Sequence, residues 1–143
     1  MKTQREQIIH TWITSVLDSD QFEINFLPGD ASFRRYARIK LNNKTFMLMD
    51  APPEKEDCVP FVTIDQFFDT HGVRVPHIVA KDLQQGFLLL EDFGDVLLST
   101  LLNDDTVDAY YAQSFKQLIE LQAIDGVKQF PEYKKEKLLS EMQ

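Results

Sequence analysis

Three extended hydrophobic segments follow one another over residues 22–50 with only turns between them, and this constrains the fold more than any other feature. The segments are Phe22 to Leu27, Phe33 to Leu41 and Thr45 to Asp50, joined at Gly29-Asp30 and at Asn42-Asn43. Gly, Asn and Asp tolerate the backbone conformations that tight turns require. Links this short cannot contain a crossover helix, so the segments are expected to pair antiparallel as a three-strand meander. In the second segment Phe33, Arg35, Ala37, Ile39 and Leu41 share a face by period two. Arg35 is the charged exception on that apolar face.

The flanking sequence adds helices and two more strands. Ile8, Ile9, Trp12, Ile13, Val16 and Leu17 recur at helical spacing, so residues 3–18 are expected to form an amphipathic helix ended by Asp18-Ser19-Asp20. Ala51-Pro52-Pro53 breaks the meander, and Glu54-Lys55-Glu56-Asp57 offers the acidic charge favoured at a helix N-terminus. Phe61, Ile64, Phe67 and Phe68 then carry a core-facing helical stripe as far as His71, with Gly72 as its C-cap. His77 to Ala80 and Gly86 to Leu90 read as two further strands joined through Asp82-Leu83-Gln84-Gln85. From residue 95 onward the pattern is helical: about 95–103, then about 105–124 with Tyr111, Phe115, Leu118, Ile119 and Gln122, then from Tyr133. The last of these is still running at Gln143 with no cap, so it reads as cut rather than finished.

Charge and cysteine content exclude several classes. The net charge of −8 argues against a nucleic-acid partner, which would need clustered Lys and Arg. No apolar run exceeds about four residues, against the roughly 20 that a membrane span requires, and the polar N-terminus lacks the apolar core of a signal sequence. Cys58 is the only cysteine, so no internal disulfide forms, which suits a cytoplasmic protein. One cysteine and three scattered histidines, His10, His71 and His77, build neither a zinc site nor a nucleophilic triad.

The charge is unevenly placed. Residues 1–50 contain seven Lys/Arg against six Asp/Glu, whereas residues 51–143 contain eight against seventeen. The one basic cluster, Arg34, Arg35, Arg38 and Lys40, follows the Gly29-Asp30 turn directly. A turn of this kind offers backbone N–H groups to an anion, and neighbouring guanidinium groups add charge-assisted donors. The cluster is either a solvated strand face or the lip of a small-anion site. Asp92 and Asp95, three residues apart in a turn, read as a helix cap rather than as metal ligands.

Helix, three strands, helix, two strands and a short link into further helices is the layout of a kinase N-terminal lobe. The segments LPGDASFRRYARI, LMDAPPEKEDCVPFV, GVRVPHIVAKD and GFLLLEDFGD resemble the aminoglycoside-phosphotransferase-like kinases. Within that family they look most like the bacterial anomeric kinases for N-acetylmuramate and N-acetylglucosamine in cell-wall recycling. The resemblance implies an α+β fold: a protein-kinase-like N-terminal lobe with a five-stranded antiparallel sheet plus helix, then the first helices of an incomplete α-helical lobe. It implies an ATP-binding lobe over residues 1–90, a hinge at 91–95 and the start of a helical substrate lobe at 96–143.

The resemblance also implies site residues. Gly29, Asp30, Ala31, Ser32, Phe33, Arg34 and Arg35 would form the loop over the ATP phosphates, and Glu91, Asp92 and Phe93 the hinge against which adenine hydrogen-bonds. The implied activity is transfer of the ATP γ-phosphate to a sugar hydroxyl, with ATP and Mg²⁺ as cofactors. The same superfamily leaves aminoglycoside, choline or homoserine kinases open, and a different class, a non-catalytic nucleotide-binding module that self-associates, is the other alternative.

The family pattern fails at two places. Kinase lobes carry a third-strand lysine that pairs the phosphates with an acid of the following helix, but here the strand reads Phe46-Met47-Leu48-Met49-Asp50 and Lys44 lies too far back. The phosphate charge then falls to Arg34, Arg35 or Arg38, and the acid could be Glu56, Asp57 or Asp65. The catalytic His-Gly-Asp is absent from the 143 residues, His71-Gly72-Val73 being the nearest approach. The metal ligands are expected outside the chain, and the chain by itself is expected to be inactive.

Overall fold

The computed structural model describes residues 3–29, 32–126, 130–132 and 134–142. The chain forms two compact units, Met1–Asp95 and Val96–Gln143.

The first unit opens with helix α1 (Gln4–Leu17). Thr3 Oγ1 accepts from the Glu6 N–H while the Glu6 carboxylate accepts from the Thr3 N–H at 2.9 Å, a reciprocal cap that starts the helix. Asp18, in the left-handed conformation, ends it. The strands are β1 (Glu23–Phe26), β2 (Arg35–Leu41) and β3 (Lys44–Asp50), then, after helix α2 (Val59–Thr70), β4 (Ile78–Asp82) and β5 (Phe87–Glu91). Their order in the sheet is β1-β2-β3-β5-β4, every neighbouring pair antiparallel. The α+β fold with a five-stranded antiparallel sheet is as the sequence predicts. The central place of β5 explains its unbroken Phe87-Leu88-Leu89-Leu90 run, since a strand flanked on both sides and covered on both faces has no polar side.

Period two divides the sheet into two cores. Ala37, Ile39, Leu48, Phe87 and Leu89 pack against Ile9 and Ile13 of α1. On the opposite face Met49, Leu88 and Leu90 pack with Ala51, Cys58 and Val62, and Tyr36, Met47 and Phe61 complete that layer. Both faces of β2 and β3 are thus committed, one to α1 and the other to α2.

Some expectations shift. The acidic run 54–57 precedes α2 instead of starting it. Pro60 in the first turn fixes the entry, and Asp57 Oδ1 accepts from the Val59 N–H at 2.8 Å. The inward side of α2 runs through Phe61, Val62 and Asp65, while Ile64 is exposed. Phe33 lies before β2 and is exposed, its ring under the Lys55 ammonium at 4.7 Å. Gly72 does adopt a positive φ at the end of α2.

The second unit contains α3 (Leu98–Leu101), α4 (Val107–Gln122) and α5 (Lys135–Glu141). Only one turn of the helix expected over 95–103 forms. Tyr111, Phe115, Leu118 and Ile119 are all exposed along α4.

Candidate functional site

The loop between β1 and β2 is closed at its base by the Leu27 N–H donating to the Tyr36 carbonyl at 2.9 Å. Within it the Arg34 N–H donates to Ser32 Oγ at 3.1 Å, a side-chain turn that shapes the approach to β2. A Cβ placed on Gly29 would meet nothing within 4 Å. Asp30 and Ala31, both expected in the anion loop, lie outside the described residues.

The three arginines after the loop do different things. Arg34 turns toward the segment that enters α2, its Nε donating to Glu56 Oε2 at 3.1 Å. Arg35 turns to the α1 side, where it donates from Nε (2.9 Å) and Nη2 (2.5 Å) to Oδ2 of the fully buried Asp50. The other oxygen of Asp50 accepts from Arg5 of α1 at 2.7 Å. Arg38 lies on the α2 side and grips Asp92 and Asp95, with four donor contacts of 2.6 to 3.1 Å. The Arg38 guanidinium lowers the pKa values of both carboxylates, which in turn raise that of Arg38, and Asp92 is almost wholly enclosed while Asp95 is open to solvent. Asp92 and Asp95 therefore do not cap α3, as the sequence had suggested. They hold Arg38, and a guanidinium is a stronger partner for two clustered carboxylates than a helix end.

At the far end of β5, the Glu91 N–H donates to the His77 carbonyl at 2.8 Å. The Glu91 carboxylate is bonded to both terminal nitrogens of Arg74 and accepts from the His77 N–H. Arg74 holds its pKa down to about 2. The same guanidinium lies 4.8 Å from the centre of the exposed Phe93 ring. The side chains of Glu91 and Phe93 are thus drawn to Arg74.

A cavity of about 360 Å³ flanks α2, lined by Arg34, Phe61, Ile64, Asp65, Phe68 and Val75 among others. Burial pushes the Asp65 carboxyl above its ordinary pKa, aided by Asp69. Sequence reasoning named Asp65 only as one possible acid. It missed Arg5 and Asp50 entirely, although an arginine and an aspartate at otherwise apolar positions are the signal of a buried pair.

No group of three or more His, Cys, Asp or Glu among the described residues is placed to hold a metal ion. Asp92 and Asp95, which share Arg38, are neutralised by it and do not fit Mg²⁺. No helix among the described residues is long and apolar enough to cross a membrane.

Comparison with known proteins gives a consistent answer. The N-acetylmuramate/N-acetylglucosamine kinase of Pseudomonas putida is 41% identical over 105 residues, covering 73% of this chain and 31% of that protein. The kinase of the same name from Pseudomonas aeruginosa is 40% identical over 115 residues, 80% of this chain and 34% of its own. That of Neisseria meningitidis serogroup B is 31% identical over 97% of this chain and 42% of its own length. The chain therefore spans less than half the length of each of these relatives. Residues 23–142, which run from the first strand through the last helix, match the phosphotransferase enzyme family, and the chain belongs to that family.

Proposed function

We propose that this chain is the ATP-binding portion of a small-molecule kinase that transfers the γ-phosphate of ATP to a sugar hydroxyl, with N-acetylmuramate or N-acetylglucosamine as acceptor. The names of the relatives support the sugar. In this reading residues 1–90 bind the nucleotide, 91–95 form the hinge and 96–143 begin the substrate lobe. Adenine is read by backbone groups around Glu91 and Phe93, whose side chains are engaged with Arg74. The enzyme acts in the cytoplasm, where ATP is present.

The observation that carries the nucleotide assignment is the Arg34–Glu56 pair. In protein kinases a third-strand lysine pairs the phosphates with an acid of the following helix, so the phosphates lie on that helix's side of the sheet. Here α2 is that helix, and on its side β3 presents Met47 and Met49. Arg34 supplies a cation at the loop on the α2 side, and Glu56 supplies the acid. Arg35 sits on the other face and Arg38 is enclosed by two carboxylates, so of the three arginines Arg34 is the one that serves the phosphates. Bound Mg²⁺ neutralises charge across the phosphates, while this chain's part is to position the nucleotide.

Calorimetric titration with ATP tests the reading. The parent chain binds, and Arg34→Gln weakens binding by about tenfold, the value of one charge-assisted hydrogen bond. A parent chain that takes up no ATP would overturn the assignment. The 143 residues, lacking His-Gly-Asp, bind nucleotide without transferring phosphate, so a measurable rate from them would be equally decisive. The acceptor is settled by assaying N-acetylmuramate and N-acetylglucosamine with the native protein from its source cells.

A further inference from the structure

Asp50 ends β3 with no exposed surface, yet it carries charge and faces two guanidinium groups. Oδ1 takes Arg5 Nε at 2.7 Å and Nη2 at 2.6 Å, while Oδ2 takes both donors of Arg35. Each oxygen is thus saturated by a separate arginine. Arg5 Nη2 also donates to the Gln85 carbonyl at 2.9 Å, and its guanidinium lies 4.8 Å from the Phe87 ring centre. That of Arg35 lies 5.0 Å from the Phe26 ring. Both planar cations are held in orientation between an aromatic face and a carboxylate oxygen.

The position of this cluster gives it a further consequence. Arg35 is the first residue of β2 and faces Asp50 across the β2–β3 pair, so the residue before it, Arg34, leaves a backbone that Asp50 fixes. Arg5 belongs to α1, which precedes the segment matched by the family. We propose that Arg5, acting through Asp50 and Arg35, is a positioning residue for the phosphate loop, fixing the foot from which Arg34 reaches the nucleotide. The inference rests on the ATP-binding reading above. Without Arg5, the buried Oδ1 loses its donors, and Arg35 re-centres to bridge both oxygens as a single fork. That motion displaces the end of the loop while the hinge, at the opposite end of β5, stays in place.

The test separates phosphate recognition from adenine recognition. The affinities of ATP and, by competition, adenosine are measured for the parent, Arg5→Gln and Arg5→Lys. Arg5→Gln is expected to weaken ATP by about fivefold while leaving adenosine within about twofold, because only the phosphate contacts are misplaced. Arg5→Lys returns a donor to Oδ1 and restores most of the loss. An unchanged ratio of ATP to adenosine affinity in Arg5→Gln overturns the inference, whether both affinities stay the same or both fall together. A parent that binds neither ligand instead overturns the nucleotide reading itself.

Discussion

Arg34 and Arg35 are consecutive in the chain and pair with carboxylates on opposite sides of the sheet, Arg34 with Glu56 before α2 and Arg35 with Asp50 beneath α1. The two pairs differ in burial. Arg34 and Glu56 are both part-exposed, whereas Asp50 is fully enclosed. An exposed pair contributes about 0–1 kcal/mol because water screens it. Removing one partner of an enclosed carboxylate leaves charge that water cannot reach, at a cost of about 3–5 kcal/mol when both partners are deeply buried. Arg35 is itself part-exposed and Arg5 remains, so about 2 kcal/mol is expected for Arg35→Gln. Urea denaturation of Arg34→Gln and Arg35→Gln checks this, and equal losses in the two variants would contradict it.

Two glycines make a second contrast. Gly86 has φ +72°, and a Cβ there would lie 1.8 Å from the Ala51 carbonyl oxygen, which belongs to backbone and cannot move aside. Gly86→Ala is expected to destabilise the fold by about 2 kcal/mol or more through strain and overlap. At Gly29 an added methyl meets open space. Gly29→Ala should keep the parent's melting temperature within about 1 °C, since no lost contact or strain is involved, and should lower ATP affinity if the loop backbone approaches the phosphates. A Gly29→Ala protein with a markedly lower melting temperature would show that the glycine serves the fold instead.

The meander and the order of elements were legible because alternation and turn residues are local signals. Ile9 and Ile13 followed from helical spacing in the same way. What the sequence hid was pairing at a distance. Arg38 meets Asp92 and Asp95 across 54 and 57 positions, and nothing in either segment names the other. A turn carrying two aspartates reads as a cap until the arginine is seen. The start of α2 was misplaced for a related reason, since an acidic run favours a helix N-terminus in general, but Pro60 fixed it locally. Arg35 could be seen as the charged exception on its face, whereas the aspartate that accounts for it lay one strand away.

Asp65 supplies a third test. It sits on the inward side of α2, and burial first, then the charge of Asp69, raises its pKa. A carboxyl whose folded pKa lies above its unfolded one favours folding when protonated and opposes it once ionised. The penalty is absent below the unfolded pKa near 4, grows as pH rises, and is complete once pH has passed the folded pKa. Asp65→Asn should therefore stabilise the fold at pH 7, with the gain fading toward pH 3. Thermal melts across that range decide the matter, and a variant less stable than the parent at pH 7 would mean that the carboxylate has a favourable partner.

Glu91 gives the opposite sign. Its bonds to Arg74, then that from the His77 N–H, lower its pKa from 4.5 to about 2. A carboxylate lowered in the folded state stabilises the fold above its unfolded pKa, and that contribution is lost as pH falls from about 4.5 through about 2. Solvent reaches both partners, so screening makes the contribution small. Salt should weaken it further, because exposed ion pairs are screened over about 10 Å at 0.1 M ionic strength. Comparing parent and Glu91→Gln by urea denaturation between pH 7 and pH 2 isolates the effect. The parent should be the more stable at pH 7, and the difference should close between pH 4.5 and pH 2. A difference that persists at pH 2 would assign the stabilisation to packing of the side chain instead of to its charge.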